Sequence, residues 1–298
     1  MLLYVVDSHG SSPGRTGFCM VINAEGQMSG SIGGGIMEYK FVELAKQRFK
    51  ESSSESMIVQ QYHDKEASTH QSGMICSGEQ TIFLYTPKQA DLLQVHNIID
   101  CLENEYQGML LLSAGSIRYA DSTTTSRYSF SNKGGKWLYT EKLGYGNNVY
   151  IIGGGHCSLA LSSLMSTMDF YITLMDDRKD LYTMKQNSYA HDMVLMENFE
   201  NIGDSIPEND HTFVVVMTIG YRTDDVVVRQ LINKKIKYLG ILGSKAKIKK
   251  MFDTYRTEGM DEHTLHKIYA PIGLEINSQT PEEIAVSIAA EIIGVRSK

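Results

Sequence analysis

Apolar positions in the second half of the chain arrive as short runs separated by longer stretches at helical spacing. Residues 149–152 form one run, Gly153-Gly154-Gly155 follow, a segment with helical periodicity comes next, and a second run closes on Asp176. This predicts strand, glycine turn, helix and strand. Further runs at 192–195, 212–217 and 237–242 predict three more strands, with helical patterns at 224–233 and 245–255 between the later ones. Such alternation implies a parallel, doubly wound α/β sheet. A last helix begins at Thr280-Pro281, with Glu283 closing a capping box and Ile284, Ile288, Ile292 and Val295 forming its buried stripe.

The first half reads differently. Strands are predicted at 2–6, 17–22 and 28–32, the last two joined by Asn23-Ala24-Glu25-Gly26, then a helix over 36–49 and strands at 57–62 and 81–85. An amphipathic helix within 87–106 and a strand at 109–112 follow. Residues 113–148 are polar, with strand-like pieces at 127–130 and 137–140, and read as the passage between domains, its last residues a hinge. The expected architecture is an N-terminal mixed α+β domain, 1–143, and a C-terminal Rossmann-like domain, 144–298.

Two glycine loops stand at helix starts. The first reads Gly153-x-Gly155-x-x-Ser158, with Asp176 twenty-one residues beyond Gly155. Glycines there let backbone N–H groups approach an oxyanion, the helix start adds partial positive charge, and an acid closing the second strand can accept from a ribose hydroxyl. A tight βα turn without ligand, and an Asp176 that only ends its strand, are the alternatives. Ligands in such sheets bind at the carboxyl ends of the strands, where 218–222, 243–245 and 270–274 also fall. Gly243-Ser244-Lys245 resembles the end of a phosphate loop, but no glycine stands five residues before Gly243, so nucleotide hydrolysis is not supported. Lys245 and Lys247 read as solvated charges at a helix start.

The second loop, Gly33-Gly34-Gly35, carries Glu38 in the opening helical turn. A carboxylate there repels phosphate, so Glu38 suits either the N–H groups of a pterin or guanine, or a helix cap. Cys76 falls on a polar loop beside Gly78, where a thiolate can meet a soft metal or carry sulfur. Zinc is not supported, because His63, His70 and Cys76 match no standard spacing and lack a fourth ligand.

Composition narrows the picture. The net charge of −7 argues against a nucleic-acid binder, four cysteines without paired spacing read as reduced thiols of a cytoplasmic protein, and no apolar run approaches a membrane span. The first residues also lack the basic region of a secretory signal.

Three stretches together resemble the XdhC/CoxI family: Ser8-His9-Gly10-Ser11-Ser12-Pro13 with the segment 30–38; Gly153-Gly154-Gly155-His156 with Asp176-Asp177-Arg178; and Gly240-Ile241-Leu242-Gly243-Ser244-Lys245 with Pro271-Ile272-Gly273-Leu274 and Thr280-Pro281-Glu282-Glu283. Cys76-Ser77-Gly78 stands where the family has Cys-Gly-Gly, and the segment after residue 217 lacks the family's basic residue. The resemblance implies a non-catalytic accessory protein of molybdenum hydroxylases such as xanthine dehydrogenase. It would bind the molybdenum cofactor (molybdopterin or its dinucleotide form), support its sulfuration with a cysteine desulfurase, and deliver it to the apoenzyme, often as a homodimer. Gly33, Gly34, Gly35, Glu38, Cys76, Gly153, Gly154, Gly155, His156, Asp176, Gly243 and Ser244 are then the candidate cofactor contacts, placed in a cleft between domains. The alternatives are an NAD(P)-dependent oxidoreductase with His156 as the nearest proton donor or acceptor, and a nucleotide-sensing scaffold.

Overall fold

The computed structural model describes residues 1–62, 78–104, 107–122 and 126–297. The chain divides into two compact units, Met1–Gly144 and Tyr145–Lys298.

In the first unit, β1 (Leu2–Gly10), β2 (Cys19–Ile22), β3 (Met28–Gly30), α1 (Gly35–Lys50), β4 (Met57–Tyr62) and β5 (Gly78–Tyr85) come first. They are followed by α2 (Leu92–Glu103), β6 (Gly108–Ser113), β7 (Ser116–Ala120), β8 (Tyr128–Lys133) and β9 (Lys136–Leu143). Five strands form an antiparallel sheet in the order β3-β2-β1-β5-β4, and four form a second in the order β7-β6-β9-β8. Alternation along β1 and β5 supplies both faces of the larger sheet. Leu3, Val5, Ile82 and Leu84 pack under Met37, Phe41 and Ala45 of α1. Tyr4, Val6, Phe83 and Tyr85 meet Leu110, Leu112, Trp137 and Tyr139 of the smaller sheet.

The two units divide after Gly144, at the start of the stretch read as a hinge, but residues 113–143 are not a passage between domains. They supply three of the four strands of the smaller sheet, and their polar residues are the outward half of an alternating pattern whose inward half is Ile117, Trp137, Tyr139 and Leu143. The helix expected within 87–106 is α2, preceded by a 3₁₀ turn over Gln89–Asp91.

The second unit contains β10 (Asn147–Ile152), α3 (His156–Met165), β11 (Phe170–Asp176), α4 (Tyr182–Gln186), β12 (Asp192–Leu195), α5 (Ile202–Ser205) and β13 (Thr212–Val216). Then come α6 (Tyr221–Leu231), β14 (Tyr238–Ile241), α7 (Lys245–Thr257), α8 (Glu262–Leu265), β15 (Ile268–Tyr269) and α9 (Pro281–Arg296). All six strands are parallel, in the order β12-β11-β10-β13-β14-β15. One face is covered by α5, α6, α7 and α8 through Ile202, Val228, Met251 and Leu265, the other by α3 and α9 through Leu161, Met165, Ile288 and Ile292. Burial on both faces is why β13 reads as an unbroken apolar run. The α9 capping box forms as its spacing implies: Thr280 Oγ1 accepts from Glu283 N–H, and Glu283 accepts from Thr280 N–H. Strand β15, two residues long, carries no periodic signal.

Backbone-to-backbone packing in the first unit generates a test. A Cβ on Gly14 would lie 2.1 Å from the Ile32 carbonyl oxygen and 2.3 Å from Gln80 Nε2, whereas one on Gly115 meets nothing within 4 Å. Gly14→Ala is expected to cost about 3 kcal/mol in chemical denaturation, as overpacking does. Gly115→Ala is the control and leaves the midpoint unchanged; equal effects would contradict the packing.

Candidate functional site

Ile152 ends β10 between its neighbours β11 and β13, and the chain turns through Gly153, Gly154 and Gly155 into α3. Chain order reverses here, since β11 and β12 lie on one side of β10 and β13 to β15 on the other, and the carboxyl ends at such a switch point form the ligand crevice of open α/β sheets. Gly153 has φ 109°, and a Cβ on it would lie 2.3 Å from Met217 O. Only glycine lets the turn leave β10 so close to the end of β13. Gly154 is closed in by Met184, but a Cβ on Gly155 meets nothing within 4 Å. The turn is thus packed on its inner side and open over the first turn of α3, whose leading N–H groups have no carbonyl one turn earlier within the helix. Ser158, at the third small position, is buried and donates to Gly155 O at 2.6 Å.

Asp176 closes β11 beside this turn, and its side chain faces inward. Gly154 N–H donates to Asp176 Oδ2 at 2.6 Å. Arg178 N–H and Nε donate to Oδ1 at 2.9 and 2.8 Å, and Arg178 Nη2 donates to Oδ2 at 2.6 Å. Both oxygens are occupied, so in this arrangement Asp176 holds the turn and Arg178 rather than offering an acceptor to solvent. Burial by itself raises its carboxyl, but the hydrogen bonds from Arg178 and Gly154 outweigh burial and hold it below the usual carboxylate range. His156 is exposed in the first turn of α3, next to Cys157. A helix start lowers a thiol's pKa, yet burial first and Glu282 second push Cys157 up, which keeps it a thiol.

Two strands along, Gly243 and Ser244 follow β14, and Ser244 Oγ caps α7 by accepting from Lys247 N–H at 3.2 Å. Lys247 is not a solvated charge. Its ammonium pairs with Asp224 Oδ2 and donates to Leu242 O at 2.9 Å, while Thr218 N–H and Oγ1 donate to Asp224 Oδ1 at 3.2 and 2.6 Å. Asp224 is fully buried. One buried carboxylate thus ties together the loops after β13 and β14. Lys245, in contrast, pairs with Glu275 at an exposed site, with side chains 80% and 77% accessible. Arg178 and Thr218 stood within quoted stretches without a role of their own, and Asp224 was not singled out, although its place in the first turn of a helix that follows a strand is the signal that could have found it.

In the first unit, Glu38 performs on its own glycine loop what Asp176 performs on the other. Ser31 Oγ, Ile32 N–H and Gly34 N–H donate to Glu38 Oε2 at 2.7, 2.9 and 3.1 Å. Burial raises this carboxyl, and the three bonds overcome it and hold it low. Gly33 packs on Gly14, and Gly34 faces open space. Cys76, with His63 and His70, lies outside the described residues. Among the described residues, no group of three His, Cys, Asp or Glu side chains could hold a metal ion, and no helix is long and apolar enough to cross a membrane.

Six parallel strands in this order, with a glycine turn at the switch point, make the second unit a Rossmann domain. The family model of the XdhC Rossmann domain matches residues 149–292, and that of the XdhC and CoxI family matches residues 1–63, together more than half of the chain. The chain belongs to the XdhC and CoxI family. It is 23% identical over 295 residues to the uncharacterized protein YqeB of Escherichia coli (strain K12), covering 98% of this chain and 43% of that protein. It is 28% identical over 150 residues to a probable xanthine dehydrogenase subunit of Bacillus subtilis (strain 168), covering 50% of this chain and 43% of the relative. The chain thus spans under half the length of each. A crystal structure of a xanthine dehydrogenase from Bacillus halodurans superposes with a TM-score of 0.73 at 21% identity, covering 100% of this chain and 91% of that one, and shows the same fold.

Two outcomes test the site. Because the folded Asp176 carboxyl lies below its unfolded value, its stabilisation is complete above about pH 4 and is lost as pH falls through the folded value. Asp176→Asn should lower the thermal midpoint near neutral pH, with the gap to wild type closing below about pH 4; a gap that stays constant on acidification would sink this assignment. Lys247→Met leaves Asp224 buried without its cation and is expected to cost about 3 kcal/mol. Lys245→Met, at the exposed pair, should leave the unfolding midpoint unchanged.

Proposed function

We propose that this protein is an accessory factor in the maturation of a molybdenum hydroxylase of the xanthine dehydrogenase type. In this reading it binds the molybdenum cofactor as cargo, supports its sulfuration by a cysteine desulfurase, and delivers it to the apoenzyme without catalysing hydroxylation itself. Membership of the XdhC and CoxI family across both units supports it, as does similarity over half the chain to a probable xanthine dehydrogenase component of Bacillus subtilis.

The observation that carries the binding step is the glycine turn at 153–155, closed on its inner side and open at Gly155 over the start of α3. Such a surface suits a phosphate or pyrophosphate, and a pterin carries the first while its dinucleotide form carries the second. Gly155 and His156 would line that group, with Gly243 and Ser244 at the carboxyl end of the same sheet. Asp176 and Glu38 act through the loops they hold. The inward carboxylate of Asp176 leaves no acceptor oxygen for a ribose hydroxyl, which favours a pterin cargo over a hydride-carrying NAD. Cys76 is the proposed sulfur or molybdenum contact, and a homodimer is the proposed assembly.

Purification under reducing, anaerobic conditions from cells making molybdopterin, followed by oxidation and pterin fluorescence, is expected to give pterin close to one per chain. Gly155→Trp, which fills the open face, should lower that ratio severalfold without loss of the folded state. Protein free of pterin, with heat evolved on titration with NAD⁺ or NADP⁺, would instead favour the oxidoreductase.

A further inference from the structure

One stretch of chain, running from the end of β11 into α4, grips both polar atoms of the Gly154 backbone. Gly154 N–H donates to Asp176 Oδ2 at 2.6 Å, and Gly154 O accepts from Thr183 Oγ1. Thr183 is buried, and its neighbours Leu181 and Met184 close on Gly154, where a Cβ would lie 3.0 and 2.6 Å from them. Gly154 is itself buried, so a carbonyl left unpaired there would cost its full desolvation. Thr183 belongs to none of the sequence motifs.

Peptide planarity carries this grip one residue further. In a trans peptide the C=O and the N–H that follows it point in opposite directions. With Gly154 O turned inward to Thr183, Gly155 N–H points away from α4. Among the described residues nothing accepts from that N–H, and a Cβ on Gly155 meets nothing within 4 Å. A peptide between two glycines turns over at little steric cost, because neither residue carries a Cβ. Turned over, it would set Gly154 O on the open side and place partial negative charge where an anion would sit. Thr183 opposes that state, since the flip takes the carbonyl from its hydroxyl and leaves the buried hydroxyl without its acceptor.

We propose that Thr183 is a positioning residue that makes the glycine turn selective for anions, by holding the peptide between Gly154 and Gly155 with its N–H outward. This role rests on the reading of the turn as the phosphate site of the cargo. Inorganic pyrophosphate is the probe, titrated into the full chain and followed by amide chemical shifts. Saturable binding is expected, with the Gly155 amide proton moving further downfield than that of Gly154, which is already donated to Asp176. Thr183→Val keeps the shape of the side chain and removes the hydroxyl, and should weaken binding at least about tenfold, the scale of one lost charge-assisted hydrogen bond. Thr183→Ser restores the hydroxyl and should bind as wild type does, which separates the hydrogen bond from packing. If the Val variant does not fold, the Gly155 shift in wild type still decides. Wild type without saturable shifts at residues 155–158 overturns the phosphate reading of the turn and the role of Thr183 with it. Saturable binding that leaves the Gly155 amide unmoved, or that Thr183→Val retains in full, overturns the role of Thr183 alone.

Discussion

The second unit depends on a carboxylate that turns toward its own backbone. Asp176 accepts from Gly154 N–H and from Arg178, and in doing so fixes the end of β11 to the turn that leaves β10. The switch point of the sheet is built on this contact. Without it the glycine turn would have little to define it, because three consecutive glycines lose more conformational entropy on ordering than any other tripeptide. The charge of Asp176 is what makes the bonds strong: charge-assisted hydrogen bonds outweigh the cost of burying it, and its carboxyl stays ionised.

The same device recurs. Glu38 gathers Ser31, Ile32 and Gly34 at the start of α1, and Asp224 gathers Thr218 and Lys247 at the ends of β13 and β14. In each case a loop rich in small residues is held by one acidic side chain reached through backbone N–H or a short polar donor. What these loops leave facing outward is main chain, open at Gly34 and Gly155. A surface of that kind suits anionic or heterocyclic ligands that are held by N–H groups rather than by side-chain chemistry.

Much of the fold was legible because its signals are local. The Gly153 to Asp176 spacing marked strand, turn, helix and strand, and the Thr280 to Glu283 box marked the start of α9, since both depend on contacts within a few residues or on one supersecondary unit. The smaller sheet of the first unit was not legible in the same way. Strands β8 and β9 showed only as pieces at 127–130 and 137–140 and β7 not at all, because all three are half polar and their inward residues have meaning only once Phe83 and Tyr85 of the larger sheet lie opposite them. Strand β15 has two residues, too few for any period to show. Within the site, the glycines could be placed from sequence, but the direction in which Asp176, Glu38 and Lys247 point could not. An acid at the end of a strand and an acid in a first helical turn are compatible with binding a ligand or binding the loop, and the choice rests on which donors lie within about 3 Å.

Sequence by itself determined the alternation that makes a parallel sheet, the glycine turn at its switch point, the capped last helix and the family to which the chain belongs. Tertiary structure alone decided that Asp176 reaches back to the Gly154 turn and that Lys247 meets a buried Asp224 while Lys245 meets an exposed Glu275. The reason is one of range. Turn chemistry and periodicity act between neighbours along the chain, whereas the partner of a charge is set by residues such as Asp224 and Lys247, 23 positions apart, that only the folded sheet brings into contact.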